Sequence, residues 1–165
     1  MKKFMMIAAL MLMSVGAFAQ EAGRMAAGAD ADIIFRDGEN RIAIGAKFQY
    51  CITENFRAEA NLKFYPKKWE TTVFNPNVNI QYVIPVIDKL NIYPLVGCGL
   101  AISKYDGHDG SESTTAFVFQ GGAGAEYFFT DSFKGFFEAW YQYGKKDGYA
   151  VMDNPLLSAG VAFCF

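Results

Sequence analysis

The chain of 165 residues is 52% hydrophobic and 19% charged with a formal net charge of −2, and its mean hydropathy of +0.09 means that apolar and polar residues are interleaved. Sixteen Phe, nine Tyr and two Trp exclude a disordered segment, and the weak acidity gives nucleic acid no electrostatic reason to bind. Three scattered cysteines, Cys51, Cys98 and Cys164, exclude a disulfide scaffold or a thiolate zinc site, which need paired or clustered thiols.

In chain order, Lys2 and Lys3 precede an apolar run from Phe4 to Val15 and the small-residue triplet Ala17, Phe18 and Ala19. This is the three-part layout of a secretory signal peptide, too short to span a bilayer as a helix. Residues 1–19 are expected to be the signal and 20–165 one mature β-barrel domain, with no second domain. Loss of Lys2 and Lys3 takes the basic residues from 15 to 13 against 17 acidic ones, so the mature chain sits near −4.

Period-two alternation then takes over. Phe56, Ala58, Ala60, Leu62 and Phe64 share one face while Arg57, Glu59, Asn61 and Lys63 share the other, as strands require and helices forbid. Ile42, Ile44, Ala46, Phe48 and Tyr50 behave alike, as do Phe74, Val78, Ile80 and Tyr82 against Asn75, Asn77, Asn79 and Gln81. The same test predicts eight strands, over 24–36, 41–52, 56–65, 73–84, 90–103, 116–128, 133–144 and 155–165, each long enough to cross a membrane when tilted. Tight turns at 53–55, 85–89 and 129–132 interleave with connections at 37–40, 66–72, 103–115 and 145–154, most of them longer. That suits an all-β, eight-stranded antiparallel up-and-down barrel whose first and last strands pair. Pro76 and Pro94 cannot donate a ladder hydrogen bond and are expected near the rims.

Alternation leaves open which face points inward, and residue size decides it. Gly97, Gly99, Gly122, Gly124 and Gly160 share the polar face with the charges, whereas most of the bulky Phe, Ile and Tyr lie opposite. A narrow interior accepts small residues and a few long charged ones, so the bulky face is assigned to lipid. Tyr50, Phe56, Tyr82, Tyr127, Tyr143 and Phe165 are placed to form interfacial girdles. The expectation is a transmembrane β-barrel.

The signal peptide, the segment Leu90–Leu100, the segment Phe136–Gly144 and the end Ala159–Phe165 together resemble the small eight-stranded outer-membrane barrels of Gram-negative bacteria, the OmpX and OmpA transmembrane-domain type. The resemblance spans 20–165. It implies residence in the outer membrane among lipid and lipopolysaccharide, and a monomer without cofactors. Its members act in envelope integrity, adhesion or host interaction, some of them through an extracellular partner met by the loops. It also implies that Val161, Phe163 and Phe165, a terminal aromatic preceded by apolar residues at alternate positions, are read by the barrel-assembly machinery.

The inward parity gathers Arg24, Asp30, Asp32, Lys47, Arg57, Glu59, Lys63, Glu126 and Glu138, nearly balanced in sign. A narrow ion pathway is one reading; a plug of mutually neutralising ion pairs is preferred, because an eight-stranded interior is filled by side chains and charges there must be paired. His108, the lone histidine, lies in a glycine-rich stretch expected to be a solvated loop, unsuited to the fixed geometry of a Ser/His/acid triad. Asp106, Asp109 and Glu112 do not follow the Asp-x-Asp-x-Asp-Gly order of a calcium loop. Neither a catalytic nor a metal site is therefore expected. The three cysteines are read as free thiols, Cys51 and Cys164 on the lumen side and Cys98 toward lipid. Two other functions compete with a structural or surface-interaction role: an exported lipocalin-like barrel around an apolar ligand, and an outer-membrane lipid-modifying enzyme.

Overall fold

The computed structural model describes residues 21–36, 39–68, 71–107, 110–146 and 149–165; the expected signal peptide and His108 lie outside them. Among the described residues, nine antiparallel strands follow one another: β1 (Met25–Arg36), β2 (Glu39–Cys51), β3 (Phe56–Lys68), β4 (Thr71–Tyr82), β5 (Ile84–Ile87), β6 (Leu90–Gly107), β7 (Gly110–Thr130), β8 (Phe133–Lys146) and β9 (Tyr149–Cys164). Each pairs with its sequence neighbour except at one place, where β4 pairs with β6, and β1 closes the sheet on β9. The short β5 pairs with β6 in the register that β4 had set, Gln81↔Leu95 followed by Ile84↔Ile92. β4 and β5 are therefore one stave, and the barrel has eight. Closure leaves no lateral edge within the wall.

The strand pattern follows from the alternation. On β3, Arg57, Glu59, Asn61, Lys63 and Tyr65 are buried while Phe56, Ala60 and Leu62 are exposed. Ile42, Ile44, Val78, Ile80, Val96 and Phe119 stand exposed on the outer surface, and the charges and amides stand within. This is the reverse of a water-soluble barrel with an apolar cavity, so the lipocalin-like reading is discarded. Toward the end where Met25 meets Phe165, aromatic rings pack edge to face on the outer surface, Phe56 on Tyr82 with centroids 5.1 Å apart and Tyr127 on Phe129 at 5.6 Å.

Several expectations need correction. The connections expected at 103–115 and 145–154 are mostly strand, since β6 and β7 pair out to Gly107↔Gly110 and β8 and β9 out to Lys146↔Tyr149. Beyond a bilayer nothing demands an apolar stripe, so the Ser-, Thr- and Gly-rich run at 103–115 and the mixed run at 145–154 carry no alternation by which to be recognised. The turn expected at 85–89 narrows to Asp88 and Lys89, with Lys89 at a φ of 70°.

The two prolines sit inside ladders rather than at rims, and each coincides with a gap. Pairing of β4 with β6 skips from Phe74↔Ile102 to Asn77↔Gly99, leaving Pro76 outside the ladder. The side-chain amide of Asn75 donates to the Leu100 carbonyl at 3.1 Å, supplying the donor that proline lacks. Pro94 lies opposite the break between β4 and β5, where the Val83 N–H turns away to the Asn55 carbonyl at 2.7 Å.

Candidate functional site: the polar lumen

Antiparallel register brings the inward residues of all eight staves into one narrow column, in which two charge clusters form. Nearer the termini, the Arg57 guanidinium donates through Nη1 to both Glu126 oxygens at 3.0 and 2.9 Å, and Lys134 Nζ donates to Glu126 Oε2 at 2.9 Å. Asn91 adds a donor to Glu126 Oε1 at 3.1 Å. One carboxylate thus serves two cations.

Deeper in, Lys47 is the hub. Its Nζ donates to both oxygens of Glu138 at 3.0 and 2.9 Å and lies 3.4 Å from Glu59 Oε2 and 3.5 Å from Asp30 Oδ2. Lys63 Nζ donates to Asp32 at 2.7 and 2.6 Å. Tyr93 Oη and Trp140 Nε1 donate to Glu138 at 2.7 and 3.0 Å. Glu59 accepts from Gln49 at 2.8 Å, Asn79 at 3.0 Å and Gln81 at 3.0 Å. Gln81 joins the two clusters, since its carbonyl accepts from Arg57 Nε at 2.6 Å.

Aromatic faces stand beside these cations as well. Lys47 Nζ lies 3.9 Å from the Phe136 ring centroid, Lys63 Nζ 4.7 Å from that of Trp140, and the Arg57 guanidinium 4.9 Å from that of Tyr93. Such contacts attract a cation most where water is excluded. Tyr93 fits only because Gly124 faces it: a Cβ there would come within 2.6 Å of the Tyr93 ring.

β4 completes the polar column with an amide ladder. Asn79 Nδ2 donates to Asn77 Oδ1 at 3.1 Å and Asn77 Nδ2 to Asn75 Oδ1 at 3.0 Å, while Gln120 Nε2 reaches Asn77 Oδ1 at 2.8 Å and Gln142 Nε2 reaches Gln120 Oε1 at 2.9 Å. Satisfied amides hold a buried polar column together, whereas unsatisfied ones each cost about 1 to 3 kcal/mol.

Of the nine residues singled out from the sequence, Asp30, Asp32, Lys47, Arg57, Glu59, Lys63, Glu126 and Glu138 come together here. Arg24 does not. It precedes β1 at the termini end, partly exposed, and its guanidinium donates to the Asp131 carbonyl. The sequence reading missed Lys134, although it shares parity with Glu138 four residues on and is as buried. It also missed an apolar layer at the end away from the termini, where Ile34, Tyr65, Val73, Ala101, Val118, Met152 and Leu156 belong to one buried cluster. Those residues continue the inward parity of Asp32, Lys63, Asn75, Gln120 and Ser158, so position along the strand was the missing signal. Val161, Phe163 and Phe165 all face outward, exposed at the sheet's closing seam. Cys51 and Cys164 are buried, and Cys98, partly exposed, stands in the outward row of β6.

The profile of the outer membrane protein beta-barrel domain matches residues 5–165. Among solved structures, the N-terminal β-barrel domain of Pseudomonas aeruginosa OprF superposes with a TM-score of 0.69 at 18% identity, covering 88% of this chain and 100% of that one. Neisserial surface protein A superposes with a TM-score of 0.70 at 15% identity, covering 86% and 96%. Ail, the attachment invasion locus protein of Yersinia pestis, gives 0.54 at 17% identity, covering 87% and 99%. No curated protein sequence matches the chain.

Proposed function

The chain belongs to the outer membrane protein beta-barrel domain family and is an integral protein of the outer membrane, and on that premise we propose that it is a non-catalytic structural and surface-interaction protein with a closed lumen. The observation that carries the closed lumen is the burial of its charges. Side chains of Lys47, Lys63, Asp30, Asp32, Glu59 and Glu138 are 0% exposed and set against one another, with the apolar layer of Ile34, Val73, Val118 and Leu156 beyond them. A hydrated pathway needs charges that face water, and pairing of this kind resists hydration. The same burial argues against catalysis, since a polar cluster that substrate cannot reach does no chemistry on it. The test is conductance in planar bilayers. Purified protein is expected to give no steady single-channel steps, and reproducible ohmic steps would overturn the closed lumen.

The surface-interaction half rests on β7. Its pairing with β8 begins only at Phe117↔Lys145, so Gly110–Ala116 have β6 on one side and, among the described residues, no strand on the other. An unpaired run of backbone N–H and C=O groups is a template for an added strand. Residues 1–19 act as the export signal, which leaves both termini in the periplasm and turns this hairpin to the exterior. The assembly machinery reads Val161, Phe163 and Phe165, and the folded barrel is a monomer among lipid and lipopolysaccharide. Cells deleted for the protein are expected to lose surface adhesion that Thr114→Pro also removes. Adhesion unchanged in both strains would defeat the surface role.

A further inference from the structure

We propose that the outward face of the wall across β2, β3, β4 and β6 carries a seat for the acyl chain of one membrane lipid. At mid-strand the small residues Ala46, Ala60, Pro76 and Cys98 line an open furrow of about 640 Å3. Register explains why they form its floor. Ala46 stands beside Leu62 and Leu62 beside Pro76, while in the next outward row Phe48 stands beside Ala60, Ala60 beside Val78 and Val78 beside Cys98. Small residues therefore alternate between two rows on successive staves, and a shallow path zigzags between bulky neighbours. Leu62, Val78 and Leu100 rise along it, 41 to 58% exposed, and Phe48 and Phe117 stand at its two ends. Lys47, Asn61 and Asn77, in the same stretch of wall, bury their side chains on the lumen side, so the side chains that face the furrow are apolar.

Its place between the girdles decides what covers it. On β3 and β4, Phe64 packs on Phe74 with centroids 4.9 Å apart and, toward the other end, Phe56 on Tyr82 at 5.1 Å; Ala60 lies midway between Phe56 and Phe64. The furrow is thus confined to the hydrocarbon around an outer-membrane barrel, where no water fills it.

An acyl chain matches its length and direction. Three strand spacings separate β2 from β6, about 14 Å, near the half-thickness of about 15 Å that one chain spans. Strands of a barrel tilt by about 35–45°, so a path across them runs obliquely to the membrane, as a tilted chain does. A flexible chain reaches the floor and gains dispersion contacts that a rigid neighbour forgoes. A second barrel is convex and would rest on Leu62, Val78 and Leu100. Association of spanning segments within lipid rests on close backbone approach or polar contacts, and a recessed apolar floor offers neither. The seat also lies over the gap at Pro76 in the β4–β6 ladder, where Asn75 holds the wall through the Leu100 carbonyl.

The test reconstitutes the folded protein in phosphatidylcholine vesicles with a trace of phosphatidylcholine carrying a photoactivatable diazirine near the end of its palmitoyl chain, and maps the adducts by peptide mass spectrometry. Adducts are expected on Leu62, Val78 and Leu100 at about five times the yield on Phe137 and Val161, which are similarly exposed on the opposite staves β8 and β9. Ala60→Phe fills the floor and is expected to bring the yields level. Cys98→Phe fills it from β6 and replaces Ala60→Phe should that variant fail to fold. Equal yields around the natural barrel, or an excess that the variants retain, would overturn the proposal. Few adducts in the furrow together with dimers cross-linked through Cys98 would give it to a second copy of the chain and overturn the proposal equally.

Discussion

Replacing Lys47 by methionine removes the one ammonium group that Glu138, Glu59 and Asp30 share, at 2.9, 3.4 and 3.5 Å. Methionine fills the space between Phe136 and Trp140, so packing is nearly conserved and the loss is electrostatic. Breaking a buried ion pair from one side costs about 3 to 5 kcal/mol, because the stranded partner stays buried. Glu138 loses its one ammonium partner, while Glu59 keeps its amide donors and Asp30 keeps Lys63 at 3.8 Å, so a loss within that range is expected, a large fraction of a total stability of about 5 to 15 kcal/mol. The assay is urea unfolding in lipid vesicles, followed by tryptophan fluorescence and by the gel-mobility difference between folded and unfolded barrel. Adding Glu138→Gln to Lys47→Met removes one stranded charge, while the glutamine carbonyl oxygen still accepts from Trp140 and its amide N–H can donate to the Tyr93 hydroxyl in place of the bond that Tyr93 gave Glu138. The double variant is therefore expected to be more stable than Lys47→Met alone, with a coupling above about 1 kcal/mol. If Lys47→Met lies within about 1 kcal/mol of the natural protein, or the two substitutions simply add, the lumen is not held together by this hub.

Leu62→Arg and Ile80→Arg each place a charge on the outer face near mid-strand; a loss of about 2 to 4 kcal/mol of folding stability in vesicles is expected, and harmless substitutions would remove that face from the bilayer. Asn75→Ala strands the Leu100 carbonyl and is expected to cost about 1 to 3 kcal/mol; in a Pro76→Val background, which restores an N–H, the same substitution should cost measurably less in the same unfolding assay. In cells whose native cysteines are replaced by serine, an impermeant thiol reagent is expected to label Gly110→Cys and spare Asn55→Cys, and the reverse pattern would invert the orientation.

Alternation made the eight staves legible because lipid and lumen impose opposite chemistry on successive residues, as Phe56 through Lys63 display. That constraint ends where the strand leaves the bilayer. Ser111–Thr115 pair with β6 as regularly as the rest of β7, yet the run carries no apolar residue to mark one face and reads as a loop. Proline rules alone misplaced Pro76, because the remedy lies in the neighbouring residue: Asn75 carries a second donor, and only three-dimensional register shows it meeting Leu100. Parity identified most of the lumen charges but could not rank them by depth. Arg24 has the inward parity and fails to join because it precedes the first ladder pair, Met25↔Tyr50. Who pairs with whom was out of reach as well, since Lys47 and Glu138 are 91 residues apart in sequence and meet only through closure of β1 on β9.

The inside-out distribution is the central claim, and spin labels along β3 test it most directly. Single cysteines from Ala58 to Phe64, labelled and reconstituted into vesicles, report collisions with apolar oxygen and with a water-soluble nickel chelate. Oxygen accessibility is expected to peak at Ala58, Ala60, Leu62 and Phe64 and to fall at Glu59, Asn61 and Lys63, with the chelate excluded throughout the middle of the strand. Oxygen accessibility without a period of two, or chelate reaching Ala60 and Leu62 as readily as an unfolded control, would contradict a barrel that turns its apolar face to lipid and closes its polar face within.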